Sequence, residues 1–389
     1  MPLHHRDRYQ NWLPDKPSRI VVGMSGGVDS SAIAYMLKEQ GHEVVGLTAW
    51  TLNGPGTCCN DALVNAGRVC EELGCDFDTV DLRAEFFHYV MDYYNKSYEA
   101  GLTPNPCVEC NRYVKWEKLV DYARTELGAD YVATGHYINS VRPTGATGPV
   151  HIQRAVDPFK DQTYMLARVY PNDLKHALFP LGLWHKKEVV AYALEKGIPT
   201  AKAKESMDVC FVLNGQSNYL KQTLGQHVGD IVDLDTGKIV GQHEGHYLFT
   251  RGQRRGVNVA AGRPVYVIKT EASTNTVYIG DKSHLESWQF TVTDVNWLNA
   301  PQDEVQLKVR YAGEPSHAKL ERIEGTQNDY TVQLLDAPVT AVTPGQVAVF
   351  YDMDNLELLG GGAIETRIVH APFNAATAPP LPDLNCELV

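Results

Sequence analysis

The chain has 389 residues, more than one hydrophobic core ordinarily organises, so its length predicts two or three domains. Its 43% apolar and 21% charged content is that of a soluble globular protein; no run reaches the roughly 18 apolar residues of a membrane span, and the opening "MPLHHRDRYQNW" lacks a signal peptide's apolar core, which leaves the cytoplasm, and no membrane partner, as the expectation. A net charge of −12 excludes a generally basic nucleic-acid binder while allowing a local basic face, and eight cysteines in so long a chain point to thiol chemistry or metal ligation rather than a disulfide framework.

After a short extension (1–18), strand-like and helix-like segments alternate. "RIVVGM" reads as a buried strand, "DSSAIAYMLKEQ" as a helix closed by Gly41, "EVVGLTA" as the next strand, "NDALVNAGRVCEELG" as a helix and "DFDTVDL" as a third strand. Helical patterns follow over 83–100 and 111–127, then "ADYVATGH" runs as a strand into a turn. The alternation predicts an α/β fold with a doubly wound parallel sheet over 19–215, binding its ligand at the carboxyl ends of the strands. "TGATGP" (144–149) reads as a hairpin tip. From about 216 short alternating runs predict a small β-rich central domain to 286, a β-barrel over 287–370 and a mobile tail over 371–389.

The first strand ends in "GMSGGVDSS". Gly26 and Gly27 permit a tight turn, Ser25 and Ser30 offer hydroxyls, and the helix beginning near Asp29 directs open amides at the same point, which makes residues 23–30 a phosphate site. The loop has no Walker lysine, so it is not built for γ-phosphoryl transfer. Asp29 beside phosphate needs a cation, and we assign it to Mg²⁺. A second constellation, "GLTPNPCVECNRYVKW" (101–116), places Cys107 and Cys110 in a C-x-x-C ahead of a helix, where thiols are expected to be acidified and reactive; Cys210 lies in "SMDVCFV". A zinc site recruiting Cys58 and Cys59 is the alternative, and these two with Cys70, Cys75 and Cys386 otherwise read as structural. Arg251, Arg254 and Arg255 of "TRGQRRGV", Lys202 and Lys204, and Lys186 and Lys187 are candidates to follow an RNA backbone.

The loop resembles the PP-loop of the ATP pyrophosphatases. "GMSGGVDSS", "TPNPCVECNRYVKW", "ATGHY", "DPFKDQTYML", "AKAKESMDVCF" and "TRGQRRGV", in one order over about 19–370, resemble the tRNA-specific 2-thiouridylases. That resemblance implies an enzyme that adenylates the wobble uridine of tRNA with MgATP and then transfers sulfur. It implies that Gly23, Met24, Ser25, Gly26, Gly27, Val28, Asp29 and Ser30 cradle ATP, with Ala49 and Gly135 beside the adenosine and His136 near the reaction. Asn105, Pro106 and Cys107 match the segment that meets the target base; Lys160, Asp161, Gln162, Arg310, Tyr311 and Gln346 match tRNA-contacting positions. Cys110 matches the family's nucleophile and Cys210 its persulfide-bearing cysteine, loaded by an upstream sulfur donor, a persulfide carrier or hydrosulfide. Cys107 stands where the best-known form has an Asp, which matches instead a subgroup resembling iron-sulfur thiolases, with Cys107, Cys110 and Cys210 holding a 4Fe-4S cluster. Another PP-loop ligase acting on a small molecule, and a non-catalytic sulfur or iron-sulfur carrier, are the rival readings.

Overall fold

Residues 9–52, 60–143, 145, 148–203, 209–212, 215–365 and 373–375 are described in the computed structural model; Cys58, Cys59, Lys204, Cys386 and most of the expected tail lie outside them, as does part of the 144–149 tip. Seven strands precede residue 180: β1 (Arg19–Gly23), β2 (Glu43–Trp50), β3 (Asp76–Asp81), β4 (Tyr131–Thr134), β5 (Ile138–Val141), β6 (His151–Arg154) and β7 (Ala177–Leu178). Five of them form a parallel sheet in the order β3-β2-β1-β4-β7. The apolar run of β1 is continuous because both faces of this sheet are covered. Ile20 and Val22 pack with helix α1 (Val28–Glu39) and helix Lys186–Glu195 on one side, and Val21 packs with the helices of residues 83–125 on the other. The strand order reverses between β1 and β4, the kind of switch point at whose carboxyl edge open α/β sheets bind their ligands.

The expected helices are present, with one shift. The second helix of the 83–127 region starts at Pro106, not near 111: Asn105 Oδ1 accepts from Val108 N at 3.3 Å and Pro106 occupies the first helical position. A π-helical stretch, Cys110–Leu119, continues it.

Strands β8 (Gly229–Asp233), β9 (Lys238–His243), β10 (Tyr266–Glu271) and β11 (Thr276–Gly280) form the central sheet around Ile231, Val267, Val277 and Ile279. After them come β12 (Glu286–Ser287), β13 (Gln289–Trp297), β14 (Glu304–Lys308), β15 (Ser316–Arg322), β16 (Tyr330–Leu334), β17 (Val339–Thr340), β18 (Val347–Tyr351) and β19 (Glu357–Ile364). Six of these close into a barrel in the order β13-β16-β15-β14-β18-β19, with β13 pairing back to β19. The β5–β6 hairpin leaves the first domain and joins the barrel's sheet through β6 and β19. Among the described residues no helix is long and apolar enough to cross a membrane.

Candidate active site

The loop after β1 is pinned to β2 by Met24 N donating to Leu47 O at 2.8 Å and Thr48 Oγ1 donating to Met24 O at 2.9 Å. Ser30 Oγ accepts from Ser25 N at 3.2 Å, and both Ser30 and Ser31 hydroxyls donate to Gly27 O. Gly26 has φ +70°, and a Cβ there would fall 2.6 Å from Ala62 Cα, so the turn admits no side chain. A Cβ on Gly135, just beyond β4, would lie 3.1 Å from both Asp29 Cβ and Ser30 N. The chain after β4 is therefore seated on the first turn of α1, whose N-cap is Gly27 with no side-chain cap, leaving backbone amides open at the carboxyl edge of the sheet. Ala49 lies near the carboxyl end of the neighbouring β2.

The cation that the loop lacks comes from elsewhere in the chain. Lys186 Nζ donates to Asp29 Oδ1 at 2.8 Å and Oδ2 at 2.7 Å, and Tyr137 OH donates to Asp29 Oδ1 at 2.8 Å. Lys186, expected as one of a basic pair on the RNA-facing surface, is instead half-buried against the loop carboxylate, while Lys187 beside it is exposed. The Asp29 carboxylate at the loop suits Mg²⁺ carried in on nucleotide phosphates, where the ion would neutralise phosphate charge.

Cys107 and Cys110 sit one helical turn apart. The Cys110 thiol, half-buried, is pushed up to about 11 by loss of hydration against the lowering charge of Lys115; Cys107 is open to solvent, so dehydration bears on it less. The helix end was expected to win, and at Cys110 burial wins instead. Lys115 acts on His136 too, whose pKa burial drives well below 6.5, so the imidazole is neutral; its Nδ1 lies 2.7 Å from Thr134 Oγ1 and its ring packs near Trp116 and Phe179. The Trp116 ring, one turn beyond Arg112 on the cysteine helix, lies 6.3 Å from the His136 ring and brings that helix to the turn that follows Gly135. Cys210 packs with Val209 and Val212 against the same core cluster as Cys110. Among the described residues no three Cys, His, Asp or Glu side chains form a metal-binding group, so Cys107, Cys110 and Cys210 are not gathered into a ready-made cluster site. The free thiols of Cys70 and Cys75 share a hydrogen bond, and Cys70 is buried beside Gly46 of β2.

Family models match three consecutive segments: the tRNA methyl transferase HUP domain at 18–214, the tRNA methyl transferase PRC-barrel domain at 217–281 and the aminomethyltransferase beta-barrel domain at 287–364. Curated relatives align across nearly their whole length. The tRNA-specific 2-thiouridylase MnmA of Trichormus variabilis is 41% identical over 353 residues, 89% of this chain and 98% of that one, and its counterpart from Thermosynechococcus vestitus is 41% identical over 376 residues, 95% and 98%. The chain belongs to the tRNA-specific 2-thiouridylase family. Likeness to solved structures is weaker: U34-tRNA thiolase NcsA from Methanococcus maripaludis, with its [4Fe-4S] cluster, gives a TM-score of 0.33 at 22% identity over 52% of this chain and 64% of that one, too little to bear on the cysteines.

In this 2-thiouridylase-family chain the two distant candidate tRNA segments form one surface. Tyr311 OH donates to Asp161 O at 3.0 Å, and the Tyr311 ring lies edge-on to Tyr164 at 5.9 Å. The Asp161 carboxylate faces inward, accepting from Arg154 Nε, Ala155 N and Thr163 Oγ1, and Gln162 Oε1 accepts from Tyr137 N. Both side chains hold the turn, whereas Lys160 is half-buried and Arg310 exposed. Asn105 caps its own helix, and Gln346 Nε2 donates to Thr103 O at 3.1 Å and Pro104 O at 3.3 Å, so this barrel residue braces the cysteine loop. Arg254 and Arg255 are exposed on the central domain, Lys202 is exposed and Arg251 is half-buried.

An ion network, missed in the sequence, runs from the buried Glu109 of the C-x-x-C and the buried Arg168 to Asp294 at the surface. Glu109 Oε1 meets Arg168 Nε at 3.2 Å, and Arg168 Nη2 meets Asp294 Oδ2 of β13 at 2.6 Å; Glu109 is 1% and Arg168 0% exposed. Arg112 Nη1 reaches Asp294 at 3.9 Å. A charge between two cysteines was the only signal available.

Proposed function

We propose that the protein is an ATP-dependent tRNA 2-thiouridylase, working on the wobble uridine and releasing AMP and pyrophosphate. The observation that supports this most is that the anion-binding loop with Lys186, the neutral His136 and the cysteine helix share the carboxyl edge of one sheet, linked through Gly135 and Trp116. A uracil carbonyl carbon is a poor electrophile, so its oxygen is first made a leaving group. The uridine O2 attacks the α-phosphorus and the bond to the β-phosphate oxygen breaks; loop amides and Lys186 take up the charge of pyrophosphate. The terminal sulfur of a persulfide on Cys210, supplied by an upstream donor, then attacks C2 and AMP leaves with the former O2. Cys110, after losing its proton, attacks the Cys210 sulfur, forming a Cys110–Cys210 disulfide and freeing the thiocarbonyl; an external thiol reductant reopens the disulfide.

The test is to incubate the protein with ATP, unmodified tRNA and a sulfur source, separate the nucleotides and analyse tRNA nucleosides by mass spectrometry. AMP, pyrophosphate and 2-thiouridine are expected together; ADP and inorganic phosphate would overturn the reading.

A further inference from the structure

The turn of residues 157–162 carries a residue with no role so far. Phe159 is 91% exposed, the most open large apolar side chain among the described residues. An aromatic ring on a soft loop would fold down onto apolar surface, and this one stands on a fixed turn. Asp157, 7% exposed, accepts from Phe159 N at 3.1 Å and from Lys186 N at 3.0 Å, and Lys160 N donates to Asp157 O at 3.2 Å. Asp161, 6% exposed, fixes the other end through Arg154, Ala155 and Thr163. The barrel adds the Tyr311 hydrogen bond to Asp161 O. The backbone that carries the exposed ring is thus fixed by two buried carboxylates, with Lys160 next to it in the chain and exposed Arg310 beside Tyr311, which bonds the turn.

A rigid exposed π-face flanked by cations is the arrangement that takes an unstacked nucleobase: the ring supplies stacking that any base can use, and the cations meet the phosphates on either side. A protein partner is less well matched, since one protruding ring rimmed by Lys and Arg offers no apolar patch for a contact core. We propose that Phe159 is a stacking platform for an unpaired base of the tRNA substrate, an inference that rests on the 2-thiouridylase reading above. Because Asp157 holds Phe159 N and Lys186 N with its two oxygens, the base would be seated on the same support as the phosphate-site lysine.

The experiment is tRNA binding by the full-length protein, followed by fluorescence anisotropy over a range of salt concentrations, for wild type and for Phe159→Ala, Phe159→Leu and Phe159→Trp. Stacking predicts that the Ala and Leu variants bind at least about five-fold more weakly, with the slope of log K against log salt unchanged, since no phosphate contact is lost. The Trp variant should bind like wild type, with added emission quenched by tRNA, and ATP binding should be unaltered in all. Wild-type affinity in the Ala variant would overturn the stacking role alone. Normal tRNA binding with thiolation impaired only when sulfur comes from a carrier protein, and not from sulfide, would reassign the ring to that carrier and also overturn it. A wild-type protein that does not bind tRNA would overturn the 2-thiouridylase reading and this inference together.

Discussion

The thiol of Cys110 should behave as a weak acid. Its pKa is raised from an ordinary 9.0 to about 11 because burial outweighs the pull of Lys115. At pH 8 an ordinary thiol is about one-tenth thiolate and this one about one-thousandth, a roughly hundred-fold deficit. The more basic thiolate is intrinsically the better nucleophile, by about eight-fold for two pK units at a Brønsted slope near 0.45, so the net expectation is a reaction about ten-fold slower than an ordinary thiol. The assay is timed reaction with a small disulfide reagent from pH 6 to 11, with the Cys110 peptide quantified by mass spectrometry. Steric access alters the rate but not its dependence on pH, so the slope is the diagnostic quantity. The rate should climb about ten-fold per pH unit to beyond pH 10, and Lys115→Met, which removes the lowering charge, should be slower still at every pH below 10. A plateau below pH 8 would refute the argument and restore the acidified thiol expected from the helix terminus.

Other consequences can be checked separately. Gly26→Ala places a left-handed residue against the Ala62 backbone, costing about 1–2 kcal/mol before the overlap is counted; a lower melting temperature and at least ten-fold weaker ATP binding are expected, and unchanged ATP affinity would remove the loop from the phosphate site. Lys186→Met should weaken MgATP binding by calorimetry about ten-fold or more, the scale of a lost charge-assisted hydrogen bond, whereas an effect on tRNA binding alone would return Lys186 to the RNA surface. Gln346→Ala leaves the carbonyls of Thr103 and Pro104 without their donor, so proteolysis within 101–106 should speed up and thiolation fall while ATP affinity stays within about two-fold; an intact, fully active variant would deny the brace.

What the sequence made legible was what it holds in one piece. Residues 23–30 contain strand end, glycine turn, hydroxyls and helix start in succession, and each part acts locally. The helix start at Pro106 was also available, since Asn105 followed by proline is a capping signal, but two prolines bracketing Asn105 read more readily as an extended loop. The place of Lys186 beside the loop could not be seen because its partner Asp29 is 157 residues away, and its neighbour Lys187 makes the pair look like ordinary surface charge. Gln346, Arg168 and Asp294 share that difficulty: their meaning comes from the barrel docking on the first domain. The thiol acidity had the wrong sign for another reason. A helix terminus is visible in a string of residues, but the dehydration that opposes it depends on everything packed around.

The hairpin that leaves the first domain sets a timetable for folding. Strand β6 ends at Arg154, and its partner β19 begins at Glu357. Some 200 residues must be synthesised in between, about 10–40 s at ordinary translation rates of roughly 5–20 residues per second. Through that interval the nascent first domain carries a strand whose outer edge has no partner, the condition under which chains pair with one another. The barrel covers this edge, so a chain interrupted between residue 215 and β19 would leave it open to self-association, and the hairpin gains its partner only once β19 has been made.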